Sequence, residues 1–307
     1  MTLVLIISAI VTMIGISTPI LLAATGELVV EKSGVLNLGV EGMMLIGAVT
    51  GFAVTFTTFN PWLGVIAAAL AGAASSLVFG VLVLGFGSNQ VATGLALSIF
   101  GIGLSTLIGA GFVGIIVSPF TTVFPDAVAR DPLMRVVFGH SPLVYFALIM
   151  VFLVGWFLKH TRAGLVLRAV GENDLSAHSI GYSVVGIRYA AIAFGGAMCG
   201  IAGSYFSLVI TPMWAEQMTA GRGWIALALV VFAGWKPARL LVGAYFFGML
   251  MTLELYAKAS GFSFLPSQFW ASMPYLMAII VLAVISARER TGSEAPACLG
   301  KPFMPSV

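Results

Sequence analysis

The feature that most constrains this chain is the recurrence of apolar stretches about 20 residues long, the length that crosses the hydrocarbon core of a bilayer. Nine candidates run from Thr2 to Ala24, Val35 to Phe59, Trp62 to Phe86, Val91 to Val117, Pro142 to Leu158, Tyr189 to Ile210, Trp224 to Trp235, Leu240 to Ala257 and Phe269 to Ala287. Inside hydrocarbon the backbone must satisfy its own hydrogen bonds, so each stretch reads as a helix. The expected fold is an all-α, polytopic transmembrane bundle of about eight to ten spans, because the Val35 and Trp224 segments are interrupted or short.

Composition agrees. Of 307 residues, 60% are hydrophobic and 8% charged, against about a quarter charged in a soluble domain. The net charge of +3 is small, and its basic residues lie in loops. That distribution suits anchoring and orientation rather than nucleic-acid binding. Cys199 lies in an apolar, Gly-rich stretch and Cys298 in a polar tail, so neither a disulfide framework nor a metal site is expected. The apolar start from Thr2 to Ala24 has no basic region before it and reads as a retained first span.

Orientation follows from Lys and Arg placement. Alternating the spans puts Lys32, Lys159, Arg162, Arg168, Arg188, Lys236, Arg239, Arg288, Arg290 and Lys301 on one side. Arg130, Arg135, Arg222 and Lys258 fall on the other. The richer side is expected to be cytoplasmic, with the C-terminus inside and the N-terminus outside; one re-entrant segment would reverse the N-terminal assignment. Residues 1–290 read as a single transmembrane domain and 291–307 as a cytoplasmic tail. The Pro-rich stretch from Ser118 to Ser141 falls outside, and the stretch from Lys159 to Arg188 inside.

That inner loop is amphipathic. Asn173 or Asp174 is placed to cap a short helix through Ile180, with Gly181 able to end it. Such a helix lying along the membrane is a docking element for a soluble partner, or else a solvated anchor loop. Glycine is abundant, and Gly196, Gly200 and Ser204 share a helix face; small residues there let helix backbones approach in lipid, so the reading is packing.

Three other segments carry polar residues in apolar surroundings. In Glu31–Ala48, Asn37 and Glu41 interrupt an apolar run among Gly34, Gly39 and Gly42. A carboxylate at membrane depth is a functional-site hypothesis, and Gly-interrupted segments are how transporters build binding sites. The alternative is an interfacial Glu41 that caps the helix following it. Thr219–Ala228 has the same texture, with Arg222 between glycines, which is consistent with an inverted repeat. Arg222 either pairs with Glu216 or faces the outer headgroups. Asn89 and Gln90 open a span, to cap it or to bind a polar ligand. Elsewhere Glu254 and Lys258 are one turn apart and can pair. His140, His160 and His178 lie far apart in loops, and no nucleophile–base or paired-carboxylate pattern occurs.

The segment Arg168-Ala-Val-Gly-Glu-Asn, followed by Ala177 and Gly181, resembles the coupling loop of the ABC transporter permease superfamily for branched-chain amino acids, ribose-type sugars and nucleosides. The Asn37–Glu41 region, Thr18-Pro-Ile-Leu-Leu-Ala-Ala with Gly26-Glu27, the Asn89-Gln90 pair, Thr219–Ala228 and the tail Ala295-Pro-Ala-Cys-Leu-Gly-Lys-Pro-Phe resemble its general nucleoside subfamily. The likeness runs from about Thr18 to Pro302. It implies a permease subunit of an importer in a bacterial inner membrane, with Arg168, Gly171, Glu172, Asn173, Ala177 and Gly181 meeting a cytoplasmic ATPase. It implies a second, non-identical permease chain and an extracytoplasmic solute-binding lipoprotein as further partners. Asn37, Glu41, Asn89, Gln90 and Arg222 are then candidates for the substrate path. No P-loop pattern is present, so no cofactor is expected on this chain, and ATP with Mg is used by the partner. Simple sugars and branched-chain amino acids are the alternative cargoes. An ion-coupled secondary transporter is the alternative class, and it is disfavoured because only Glu41 reads as a deep ionisable group.

Overall fold

The computed structural model describes residues 2–120, 122–124, 132–259, 266–288 and 295–303. Every one of the nine apolar stretches contains a helix. They are α1 (Thr2–Lys32), α2 (Val40–Thr58), α3 (Pro61–Gly80), α4 (Gln90–Gly109), α6 (Pro142–His160), α9 (Val184–Tyr205), α10 (Arg222–Phe232), α11 (Pro237–Ala259) and α12 (Ser267–Arg288). Three shorter α-helices also occur among the described residues: α5 (Pro132–Phe138), α7 (Arg162–Glu172) and α8 (Asp174–Ser179). Among the described residues seven helices are long and apolar enough to cross a membrane, which makes this a multi-pass membrane protein. Helix α10, at 11 residues, is a half-span.

Local chemistry explains the helix starts. Asn60, Asn89, Thr161, Asn173 and Ser183 each accept a backbone N–H from the first turn of α3, α4, α7, α8 and α9, which satisfies donors that a helix start leaves free. Of the two cap candidates for α8, Asn173 does the work, accepting from Ser176 at 2.9 Å. Pro19 lies inside α1. Beside it the Ser17 and Thr18 hydroxyls donate to the Met13 and Ile14 carbonyls at 2.6 and 2.8 Å. Bonded to the preceding turn in this way, the two hydroxyls are themselves satisfied inside the bundle.

Two expectations need correction. Helix does not begin at Val35: residues 35–39 are irregular, and α2 starts at Val40. The stretch from Ser118 to Ser141, read as a loop, contains α5, while Arg130 lies outside the described residues. The expected Glu254–Lys258 pair is present at 2.7 Å.

Helix α2 is the axis of the bundle, most of it buried between α3, α4 and α9. A helix apolar all round has to be enclosed, and here glycine allows the enclosure. Gly47 faces the backbone of Gly200, and Gly42 faces Leu97 and Ser98. A Cβ on Gly200 would overlap the Ala68 carbonyl of α3, and one on Gly196 would overlap Gly72 and Ser76. The Gly196–Gly200–Ser204 face is therefore a packing seam, as read. We expect Gly200→Leu to cost at least about 1–3 kcal/mol and to lower the yield of monodisperse protein in detergent. Gly103→Leu, where a Cβ meets nothing within 4 Å, should be neutral in the same assay.

Candidate functional site

Between α1 and α2 the chain crosses the bundle without helical hydrogen bonds, and side chains take over the role of the helix. Leu36 N–H donates to Gln90 Oε1 at 2.8 Å, Asn37 N–H to Glu27 Oε1 at 3.2 Å, and Gly39 N–H to Asn37 Oδ1 at 2.8 Å. Ser98 Oγ donates to the Leu38 carbonyl at 2.8 Å and Arg188 Nε to the Ser33 carbonyl at 3.1 Å. Non-helical backbone survives at membrane depth only when it is satisfied in this way. Asn37 and Gln90 thus hold the break, and Asn89 caps α4 through Ala92 N–H at 3.0 Å.

The second break precedes α10. Gln217, Ala220 and Gly221 have positive φ there, and Gly221 is required because a Cβ would meet the Tyr275 hydroxyl at 2.8 Å. The two breaks meet at Glu41. Its Oε1 accepts from Thr219 Oγ1 at 2.5 Å and Gly221 N–H at 2.8 Å, and its Oε2 accepts from Gly223 N–H at 2.7 Å. The carboxylate stands at the N-terminus of α10, where it satisfies orphan backbone donors. It caps a helix more than 170 residues away in sequence, not its own. Gly42 packs on Gly101, which is about 16 Å beyond Gln90 along α4 by helical rise.

Arg222 neither pairs with Glu216 nor points away from the bundle. Its Nη1 donates to the Met218 carbonyl at 3.4 Å, and its guanidinium lies 5.0 Å from the Phe206 ring centroid, a cation–π separation.

Buried ionisable groups are more numerous than the sequence indicated. Glu27 and Glu31, one turn apart on α1, are both buried. Glu31 Oε2 accepts from Trp235 Nε1 at 2.5 Å. Arg188, fully buried at 0% exposure, joins Asp174 at 3.1 Å. Glu31 and Arg188 find polar partners on other elements, while Glu27 Oε2 and Arg188 Nη1 are buried without one among the described residues, and nothing in the linear sequence identifies partners that come from different helices.

The loop between α6 and α9 divides the coupling candidates by exposure. Glu172, Asn173 and Gly181 face outward, Arg168 is half-buried, and Gly171 and Ala177 are buried. Ala177 packs with Val170 and Val184, and a Cβ on Gly171 would overlap the Lys32 carbonyl. Exposed apolar residues Leu175, Ile180 and Tyr182 surround the outward set. They were not singled out, although apolar side chains in a polar loop are a visible signal. The tail closes the arrangement. Cys298 N–H donates to the Gly171 carbonyl at 2.9 Å, Gly300 N–H to the Gly34 carbonyl at 3.2 Å, and Gln90 Nε2 to the Lys301 carbonyl at 3.3 Å. Loop, tail and first break form one hydrogen-bonded assembly.

Residues 9–285 match the family described as branched-chain amino acid transport system / permease component. A Haloferax volcanii protein, provisionally assigned as a glucose ABC transporter permease protein, is 40% identical and covers 90% of each chain. The guanosine ABC transporter permease protein NupQ of Bacillus subtilis is 30% identical, over 94% of this chain and 93% of its own. The nucleoside ABC transporter permease protein NupC of Lactococcus lactis is 28% identical, over 87% of this chain and 89% of its own.

Replacing Glu41 by Gln puts a donor where a backbone N–H needs an acceptor, and a buried unsatisfied group costs about 1–3 kcal/mol. We expect Glu41→Gln to lower the thermal midpoint of the purified protein by several degrees, and an unchanged midpoint would remove the capping role.

Proposed function

Because the chain belongs to the permease family of branched-chain amino acid transport systems, we propose that it lines the path of an ATP-driven importer whose cargo is nucleosides. The chain is the permease component of an ABC importer, and that much follows from the family. The cargo reading is carried by one observation: guanosine and nucleoside permeases match nearly end to end. The 40% identical relative assigned to glucose favours simple sugars as the second reading.

In this proposal a separate ATPase docks on the outward side chains Glu172 and Asn173, the Gly181 turn and the surrounding Leu175, Ile180 and Tyr182. A second permease chain completes the path, and an extracytoplasmic binding protein delivers the cargo. ATP and Mg act on the ATPase, and the chain carries no P-loop of its own. The docking side is cytoplasmic, a reading supported by the gathering of Lys32, Lys159, Arg168 and Lys236 at one end of the bundle. ATP can shift access only if docking stabilises one arrangement over the other. The Asp174–Arg188–Ser33 bonds and the tail are the physical route from the loop to the first break.

Cells lacking other uptake routes and expressing the complete transporter should accumulate labelled guanosine, with competition by unlabelled nucleosides and none by glucose. Competition by glucose would exchange the two readings. Gly181 has φ +99°, a conformation that valine adopts only with strain. Gly181→Val and Glu172→Ala should leave ATP hydrolysis running while uptake falls roughly tenfold. Uptake at the wild-type rate would sink the docking assignment.

A further inference from the structure

Two neighbouring cavities on the outside of the bundle share residues, and of the coupling and substrate-path candidates only Arg168 lines either of them. The first is an apolar groove of about 380 Å³ between α6 and α11, walled by Leu148, Phe152, Trp156 and Leu241, with Gly155 and Pro237 along it. The second is a cleft of about 170 Å³ at the end of that groove, lined by Lys32, Lys159, Arg168 and Lys236. Gly155, Lys159 and Pro237 line both, so the groove runs into the cleft.

We propose that this continuous groove and cleft bind an anionic phospholipid, with acyl chain between α6 and α11 and headgroup phosphate among the four cations. Charge decides the headgroup. Four basic side chains line the cleft, and the first turn of α11 adds the positive end of its dipole. Arg168 Nε is buried and has no hydrogen-bond partner among the described residues, a donor that a phosphate oxygen satisfies. Shape decides the tail. Gly155 keeps the groove open, since a Cβ there already touches Pro237 at 3.6 Å. Phe152 and Trp156 are exposed on the groove wall, where a chain lying along the bundle covers them, with Trp156 one turn from Lys159 as interfacial aromatics are. Basic pockets between helices are a recognised form of headgroup site.

The test is lipid retention by the intact, detergent-purified transporter, read by native mass spectrometry after addition of phosphatidylglycerol or phosphatidylcholine with identical chains. The wild-type complex should retain phosphatidylglycerol about tenfold better. Lys159→Gln with Lys236→Gln should abolish that preference, and Gly155→Leu should reduce retention of both lipids at an unchanged thermal midpoint. Equal retention of the two lipids by the wild type overturns the proposal, as does a preference that survives the double lysine change. Displacement of phosphatidylglycerol by millimolar glycerol phosphate, with Gly155→Leu having no effect, would assign the cleft to free anions instead. Failure of the wild-type complex to retain either lipid also overturns the proposal.

Discussion

A bilayer offers no water to a broken helix, and this chain breaks two of them inside its bundle. The contact between Glu41 and the turn at Thr219, Gly221 and Gly223 is what makes that arrangement stable. One carboxylate satisfies three donors from the second break while standing in the first turn of the helix that leaves the first. Without it, α10 would present free N–H groups to a low-dielectric interior. Hydrogen bonds to charged groups contribute about 1.5–3 kcal/mol each, so the junction outweighs any single apolar contact around it. The close approach of Gly223 to the Glu41 backbone follows from the same need, because only glycine lets the two helix starts come so near.

Much of this was visible in the linear chain. Apolar length located every helix that crosses the bundle, since it depends only on composition over about 20 residues. The glycine interruptions at Gly34, Gly39 and Gly42, and again around Arg222, marked both breaks. What stayed hidden were the partners. Glu41 looked like a ligand group or a local cap because its true partners lie in another segment. Glu27, Glu31 and Arg188 carry no sign in the linear chain of the burial they have, at 0%, 1% and 0% exposure. The Asn89–Gln90 pair was legible as polar residues at a helix start. That Asn89 caps locally while Gln90 reaches Leu36 and Lys301 required the packing to be known.

The division between buried and exposed residues in the α7–α8 loop also orders its chemistry. Gly171 and Ala177 fix where the loop sits, by close approach to Lys32 and by packing on Val170 and Val184. Glu172, Asn173 and Gly181 are left to face outward. Close packing on one side and exposure on the other leave the loop held by the bundle while its outer side chains stay open to solvent.

The position of the tail has a consequence for biogenesis. Cys298, Gly300, Lys301 and Phe303 complete contacts to Gly171, Gly34, Gln90, His178 and Arg188. These residues are synthesised after every helix that they touch. The α7–α8 surface therefore takes the arrangement described here only once residues 298–303 exist, and a chain without them leaves Gly171, Gly34 and Gln90 without these partners.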